Sequence, residues 1–212
     1  MTTAAFASAL RVAGDSVPFT DEPTDELVAG EVYQIADEAM RVLNPSEPVV
    51  VAVGGIDADP ADYVVDYLFG RITFIDDPGD DVTVSGEYLE LDESVSAREF
   101  SISISGELAD ATEFSPDGYV QRQATISDAS GSITSLTPVL GGTSIYEARA
   151  DGRPILLEVN VGGTGELFRA WVLIESLSDA TSPAALHTST INWQAAPVEG
   201  LDSRQAAFAI GS

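Results

Sequence analysis

The stretch REFSISISGELADATEF at residues 98–114 constrains the fold of this chain more than any other. Phe100, Ile102 and Ile104 alternate with Ser101, Ser103 and Ser105, and a period of two belongs to a strand with one face apolar and the other polar. Phe100, Ile102, Ile104 and Leu108 are expected to face a core. A solvated strand ordinarily carries Lys, Glu, Thr or Arg on its wet side. This one carries a row of small hydroxyls, and the question is what they face.

Similar runs recur: VVVAV (49–53), YVVDYLF (63–69), RITFI (71–75), VTVSGEYLEL (82–91), QATIS (123–127), PILLEVNV (154–161), LFRAWVLIESL (167–177) and TSTINW (188–193). Turn signals separate them, at Gly54 and Gly55, DDPGDD (76–81), SPDG (115–118) and GGTG (162–165). Many strands with frequent breakers predict a mainly β chain, a sandwich or partly closed barrel. ITFIDDPGDDVTVSG and LEVNVGGTGELFRAW each read as a hairpin. Helical signals are few. In SIYEARADG, Ser144 stands three residues before Glu147, the spacing of a capping box, and Gly152 follows as a stop, so one short helix is expected. ADEAMRVL (36–43) also has helical spacing. TDEPTDELVAGE (20–31) is acidic, broken by Pro23, and reads as an exposed loop. No internal repeat or shift of composition marks a boundary, so residues 1–212 read as one β domain.

Charge narrows the setting. The chain carries 35 Asp and Glu against 9 basic residues, a net charge of −26, and every basic residue is Arg. Self-repulsion at that charge destabilises a compact state, yet 44% apolar residues argue for a fold. A folded protein working in concentrated salt reconciles the two, because the Debye length falls to roughly 3 Å at 1 M. Nine scattered Arg do not build a phosphate-neutralising groove, which argues against DNA binding. No cysteine is present, so disulfides and thiolate metal sites are excluded. No apolar run approaches the ~20 residues that span a bilayer, and the start lacks the pattern of a signal peptide. The chain reads as soluble, without a membrane partner, and made in a cytoplasm.

Reaction centres are hard to find. Gly14, Asp15 and Ser16 resemble the Gly-Asp-Ser of one esterase class, but a serine nucleophile needs a nearby histidine, and the sole candidate, His187, lacks the acid that class places three residues before it. Gly14 to Ser16 reads better as a hairpin turn. DADPAD (57–62) and DDPGDD lack the glycine and terminal Glu of an EF-hand, and they read as solvated turns. His187 alone builds no zinc site. Trp171 and Trp193 lie in strand-like runs and are expected in the core. The expectation is a structural or binding role, with no enzyme activity and no cofactor.

From about residue 31 to 133 the order of features resembles the major tail tube protein of long-tailed bacteriophages and of haloarchaeal tailed viruses. The residues that carry this are Tyr67, Phe69, Gly70, Ile72, Phe74, Val82, Val84, Gly86, Tyr88, Thr112 and Phe114. Two segments, 20–31 and 180–187, have no counterpart, and the lysines usual in that family are absent. The resemblance implies a β-sandwich-like subunit with one helix at its side, six copies closing into a ring around a β-barrel lumen, and rings stacking into a tube. It implies tape-measure and tail-end proteins as partners, viral DNA passing through without specific binding, and a place in the virion after synthesis in the host cytoplasm. It also implies a turn, not a helix, at 36–43. On this view Glu99, Ser101, Ser103, Ser105 and Glu107 line the bore or a seam between subunits; the alternative is a serine face simply solvated on the outside of a sandwich. The competing expectation is a carbohydrate- or surface-binding β-sandwich module, which an exposed cluster of Trp and Tyr would favour.

Overall fold

The computed structural model describes residues 8–110, 122–135, 144–152, 154–161, 166–182, 185–196, 198 and 208–211. In chain order they form β1 (Ser8–Val28), β2 (Val32–Ile35), a 3-10 turn (Glu38–Met40), β3 (Val50–Val53), β4 (Ile56–Asp57), β5 (Tyr63–Asp66) and β6 (Arg71–Phe74). There follow β7 (Val82–Asp110), β8 (Arg122–Ser135), α1 (Ser144–Asp151), β9 (Ile155–Val161), β10 (Glu166–Ser182), β11 (Ala185–Ala195) and β12 (Phe208–Gly211). The chain is mainly β, with two curled antiparallel sheets and one short helix, a partly closed sandwich or barrel as its alternation predicts.

β1 and β7 are a long antiparallel ribbon, paired from Ser8 opposite Ala97 to Pro23 opposite Thr83. Each end of the ribbon feeds a different core. Towards one end, β7 pairs β8, β8 pairs β11, β11 pairs β10, β10 pairs β9, and β9 returns to β1 at Leu10, Arg11 and Val12. The pairings close a circuit, so the strands there have no free edge where they meet. Phe168, Ala170, Val172 and Ile174 alternate into this barrel from β10, and Ile155, Leu157 and Val159 from β9. α1 adds Ile145 and Ala148 to the same cluster. Inside it, the Trp193 ring stacks on Phe100 at 6.2 Å and 14°, and lies 5.8 Å from Phe168. A side chain at Gly131 would strike Ser101 O and approach Trp193 Cζ2 to 2.6 Å, so glycine lets the indole lie across β8.

At the other end, β1 pairs β2 through Thr24 to Val28, β2 pairs β6, and β6 pairs β5, while the start of β7 pairs β3. This small lobe has its own core of Phe19, Tyr33, Ile35, Tyr63, Val65, Ile72, Phe74, Val82 and Val84. Between the lobes, Val42, Leu68, Phe69 and Leu89 pack on Leu156 and Trp171 of the barrel wall. The turn after Phe69 needs Gly70, whose φ is +59° and whose missing Cβ would sit 2.9 Å from Arg41 Cα.

A charged cluster crosses that junction. Arg169 is 5% exposed; its Nε and Nη2 donate to Glu158 Oε2 at 2.8 and 2.7 Å, and its Nη1 donates to Leu68 O at 2.6 Å. Its guanidinium lies 4.8 Å from the Phe69 ring centroid, and that of Arg71 lies 5.1 Å from the same ring. Arg11 Nη1 reaches Glu158 Oε1 at 3.3 Å from the surface. Arg41 donates to Ile35 O and Ala36 O nearby. Burial pulls Arg169 below the usual guanidinium value, opposed by Glu158 and Asp66. Burial pushes Asp66 above the usual carboxylate value, opposed by the Leu68 and Phe69 amides and by Arg71 and Arg169.

Several local expectations change. Residues 20–28 are strand, not loop, because they pair β7 and then β2 at the ribbon's margin while their side chains stay wet. Gly14, Asp15 and Ser16 form no turn; the register slips by one residue between Ala13 opposite Leu91 and Ser16 opposite Leu89, a bulge that lets β1 run on. The runs at 82–91 and 100–108 belong to one strand. ITFIDDPGDDVTVSG is not a hairpin: β6 pairs β2 and β5, β7 pairs β1, β3 and β8, and DDPGDD links two sheets. LEVNVGGTGELFRAW does pair as a hairpin, with Val161 opposite Glu166. Residues 36–43 hold only the 3-10 turn, capped by Asp37 Oδ1 accepting from Ala39 N at 2.9 Å. α1 forms as its signals predict, with Gly152 at φ +66° after it.

Candidate functional site

The serine row lies on the outside of the barrel wall. Glu99, Ser101, Ser103 and Ser105 are exposed, whereas the side chain of Glu107 lies outside the described residues, as does that of Leu108. On the opposite face, Phe100 and Ile102 pack on the barrel core. Ile104 does not: it is 53% exposed, although Ala129 opposite it is buried in the barrel core.

The register extends the row into a surface four strands wide. Glu99 stands opposite Thr134, Thr134 opposite Thr190, and Thr190 opposite Ser178. One step along, Ser101, Ser132, Asn192 and Ser176 form the next row. Ser103, Ser130 and Gln194 form a third, ending on Leu173. Ser105 faces Asp128 beyond them. The rows are tied together: the Ser101 and Ser132 hydroxyls are 2.9 Å apart, Asn192 Nδ2 donates to Ser176 Oγ at 2.7 Å, and Gln194 Nε2 donates to Asp128 Oδ2 at 3.0 Å. Directly beneath lie Trp193, Phe100 and Phe168, which hold the strands from behind.

Chemically, this is a lattice of small donors and acceptors repeating about every 4.8 Å across strands and about 6.8 Å along them. It can hold a water layer. It offers no nucleophile paired with a base. Among its described residues the formal charges are Glu99, Asp128 and Glu175, the last exposed at the bulge between Ile174 and Ser176, and all three are negative. The sequence pointed to β7 alone. β8 and β11 carry the same signal in ASGSITS (129–135) and TSTINWQ (188–194), where hydroxyl and amide residues alternate with Ile and Trp.

The remaining candidates separate. Ser16 Oγ donates to Glu87 Oε2 at 2.7 Å on the surface, and the His187 side chain lies outside the described residues. Asp57, Asp59, Asp62, Asp76 and Asp77 line an open cavity of about 450 Å³ with Ile56 and Phe74. Among the described residues no three His, Asp or Glu are grouped to hold a metal ion. Trp171 and Trp193 are both buried, as expected. The Glu158 and Arg169 pair was not anticipated; a lone charge inside LLEVNV and LFRAWV is its signal, since a charge in an apolar run needs a partner.

No protein-family model and no curated protein matches the sequence. Two solved chains resemble the fold. One belongs to the virion of a native gene transfer agent particle, with 17% identity over 57% of this chain and 89% of that one, at a TM-score of 0.43. The other belongs to the tail of an empty gene transfer agent particle with C6 symmetry, with 16% identity over 58% and 87% of the two chains, at a TM-score of 0.44. At those values the likeness carries no argument about function.

Proposed function

We propose that this chain is a structural subunit, built to assemble rather than to catalyse. More narrowly, it is the major tail tube subunit of a virion: copies close into rings, rings stack, and the hydroxyl face lines the conduit. The observation that carries the reading is that face, uncharged over most of four strands in a chain of net charge −26.

DNA held in a bore by Arg or Lys would bind through counterion release and would not slide. Hydroxyls hold water, and the carboxylates of Glu99 and Asp128 repel phosphate. Glu99, Ser101, Ser103 and Ser105 are assigned to the bore, and Glu107 with them. Six copies of a four-stranded face give 24 strands. With strands about 4.8 Å apart and tilted by up to ~45°, the free width inside such a barrel is roughly 25–40 Å, enough for a duplex. A ring carries six times −26, or −156, so assembly requires salt. The tape-measure and tail-end proteins are the further partners of this reading. Both tryptophans are buried, and among the described residues no exposed Trp and Tyr cluster favours a carbohydrate-binding module.

Electron microscopy of the purified protein at molar salt tests the reading. Hollow tubes or six-fold rings are expected, falling apart in low-salt buffer. Strict monomers at every salt concentration would overturn it. Ser103→Arg is expected to leave the fold and the tubes intact while making them retain duplex DNA; tubes that ignore DNA would remove Ser103 from the bore.

A further inference from the structure

One edge of β10 holds two strands in a single lane. β11 pairs its later half, ending with Ala195 opposite Val172, and Ala196 N then donates to Trp171 O at 2.9 Å. β12 takes up the same lane at the next position. Phe208 stands opposite Ala170, Ala209 opposite Arg169, Ile210 opposite Phe168 and Gly211 opposite Leu167. Both strands run antiparallel to β10, so Phe208 occupies the place that residue 197 would take in an uninterrupted strand. This part of the lane has to be filled. Phe168 and Ala170 are buried in the barrel core, and with no strand beside them the backbone groups of β10 on that edge would be covered yet unpaired.

The chain spends much length on this short step. Val198 still packs at the junction, in the cluster of Phe69, Leu156 and Trp171. Residues 199–207 separate it from β12, although the lane advances by one position only, from Trp171 to Ala170. Connections between adjacent antiparallel strands ordinarily need about two to five residues. Fully extended, the tether from Val198 to Phe208 reaches about 35 Å. A domain of this length has a radius of gyration of about 17 Å, so the tether is long enough to cross to an adjoining copy. Among the described residues β12 pairs β10 alone, so one ladder of bonds is all that a transfer would break.

We propose that β12 is an exchanged strand: on assembly, β12 of one copy fills the lane beside β10 of the next, in the register it has here within one chain. This rests on the tail tube reading and names a contact that joins neighbouring copies in it. The occupant is set by the structure, since the lane already accepts these four residues, main chain to main chain. The bonds lost and gained are identical, so the exchange itself costs little. What decides between the two arrangements is how close a ring holds the next lane, because proximity raises the effective concentration of the second site. Each chain gives one strand and receives one. The contact therefore runs head to tail and continues until a ring closes.

The absence of cysteine makes the test direct. Leu167 and Gly211 face each other across the lane, and a disulfide fits the spacing of such a pair. Leu167→Cys and Gly211→Cys chains are mixed, assembled at molar salt and oxidised. The expected product is a disulfide between the two variants, at least tenfold more abundant than in the same mixture oxidised unassembled at low salt. A chain carrying both substitutions is expected to give covalent multimers in tubes and an internally linked monomer when unassembled. A further variant deletes residues 200–204, which leaves four residues for the one-position step within a chain and halves the reach to another copy. It is expected to keep the melting temperature of the unassembled chain and to need at least tenfold more protein to assemble. Tubes in which the double variant links only within its own chain overturn this inference and leave the tube reading standing. Unchanged assembly of the deletion variant overturns it as well. A wild-type chain that never assembles overturns both.

Discussion

The barrel and the small lobe share β1 and β7, yet they keep their charge in opposite places. The small lobe has a Tyr, Phe and Val core and wears its carboxylates outside except Asp66; sixteen of the 35 Asp and Glu fall between Thr20 and Asp81, and Asp66 alone of them is held by burial at the junction. The barrel presents hydroxyls on its outer wall and buries an ion pair, Glu158 with Arg169, where it meets the small lobe. The two surfaces answer different demands. Carboxylates on turns keep water and cations at a surface facing salty solvent. The hydroxyl wall carries few, Glu99, Asp128 and Glu175 among its described residues. Charge in this molecule is thus sorted by surface, and the net value of −26 conceals the sorting.

The largest effect should come from breaking the barrel alone. Trp193 is 1% exposed and touches Phe100 and Phe168 beneath the hydroxyl face. Trp193→Ala is expected to cost about 3–5 kcal/mol in denaturant unfolding. Amide exchange should rise in β8 and β11 before it rises in β2 and β6. Equal exchange in both lobes would mean that they unfold as one unit and that the contrast has no energetic meaning.

Next in size is the junction. Arg169→Met removes the cation and leaves Glu158 buried, a break of about 3–5 kcal/mol at the upper end, reduced here because Arg11 still reaches Glu158. The buried pair is poorly screened, so the loss should be nearly the same at 0.2 M and 2 M salt. Deleting carboxylates from DDPGDD should instead show its effect only at low salt. If both respond to salt alike, the division between buried and surface charge fails. Gly70→Ala should cost less, about 1–3 kcal/mol, from an unfavourable φ and contact with the Arg41 backbone. It should also weaken the packing of Phe69 against Arg169, which a drop in thermal stability with unchanged small-lobe amide exchange would reveal.

How much of this could be read from the chain differs by region for physical reasons. Strands with alternating faces were legible wherever one side meets a core, as in β5, β6, β9 and β10. β1 was not, since Thr20 to Val28 pairs through its backbone while its side chains stay mostly wet, and a strand with wet sides looks like a loop. The partner of β6 was equally hidden. DDPGDD announces a change of direction, but whether the next strand returns beside the last is decided by the cores, and here Ile72 and Phe74 belong with Tyr33 and Tyr63. For the candidate face, the Ser row on β7 was visible locally. Its fourfold width depends on register between strands distant in sequence, which no local period carries.

The smallest effect tests the sign of a single charge at the junction. Asp66 accepts from Leu68 N at 2.9 Å, and burial holds its carboxyl above the ordinary carboxylate range. A carboxyl whose pKa is higher folded than unfolded favours the fold at low pH, and that contribution is lost as pH rises through its folded value. At neutral pH the ionised group therefore costs stability. Asp66→Asn keeps an oxygen for the Leu68 amide and removes the charge. It should melt slightly higher than wild type at pH 7, with the gap closing as pH falls through the raised folded value and vanishing once the unfolded carboxyl is protonated as well. The opposite outcome, a variant less stable at pH 7 and equal to wild type in acid, would mean that Arg71 and Arg169 outweigh burial at Asp66. The junction would then be an ion network stabilised by attraction, and the contrast with the small lobe would rest on geometry rather than on the cost of buried charge.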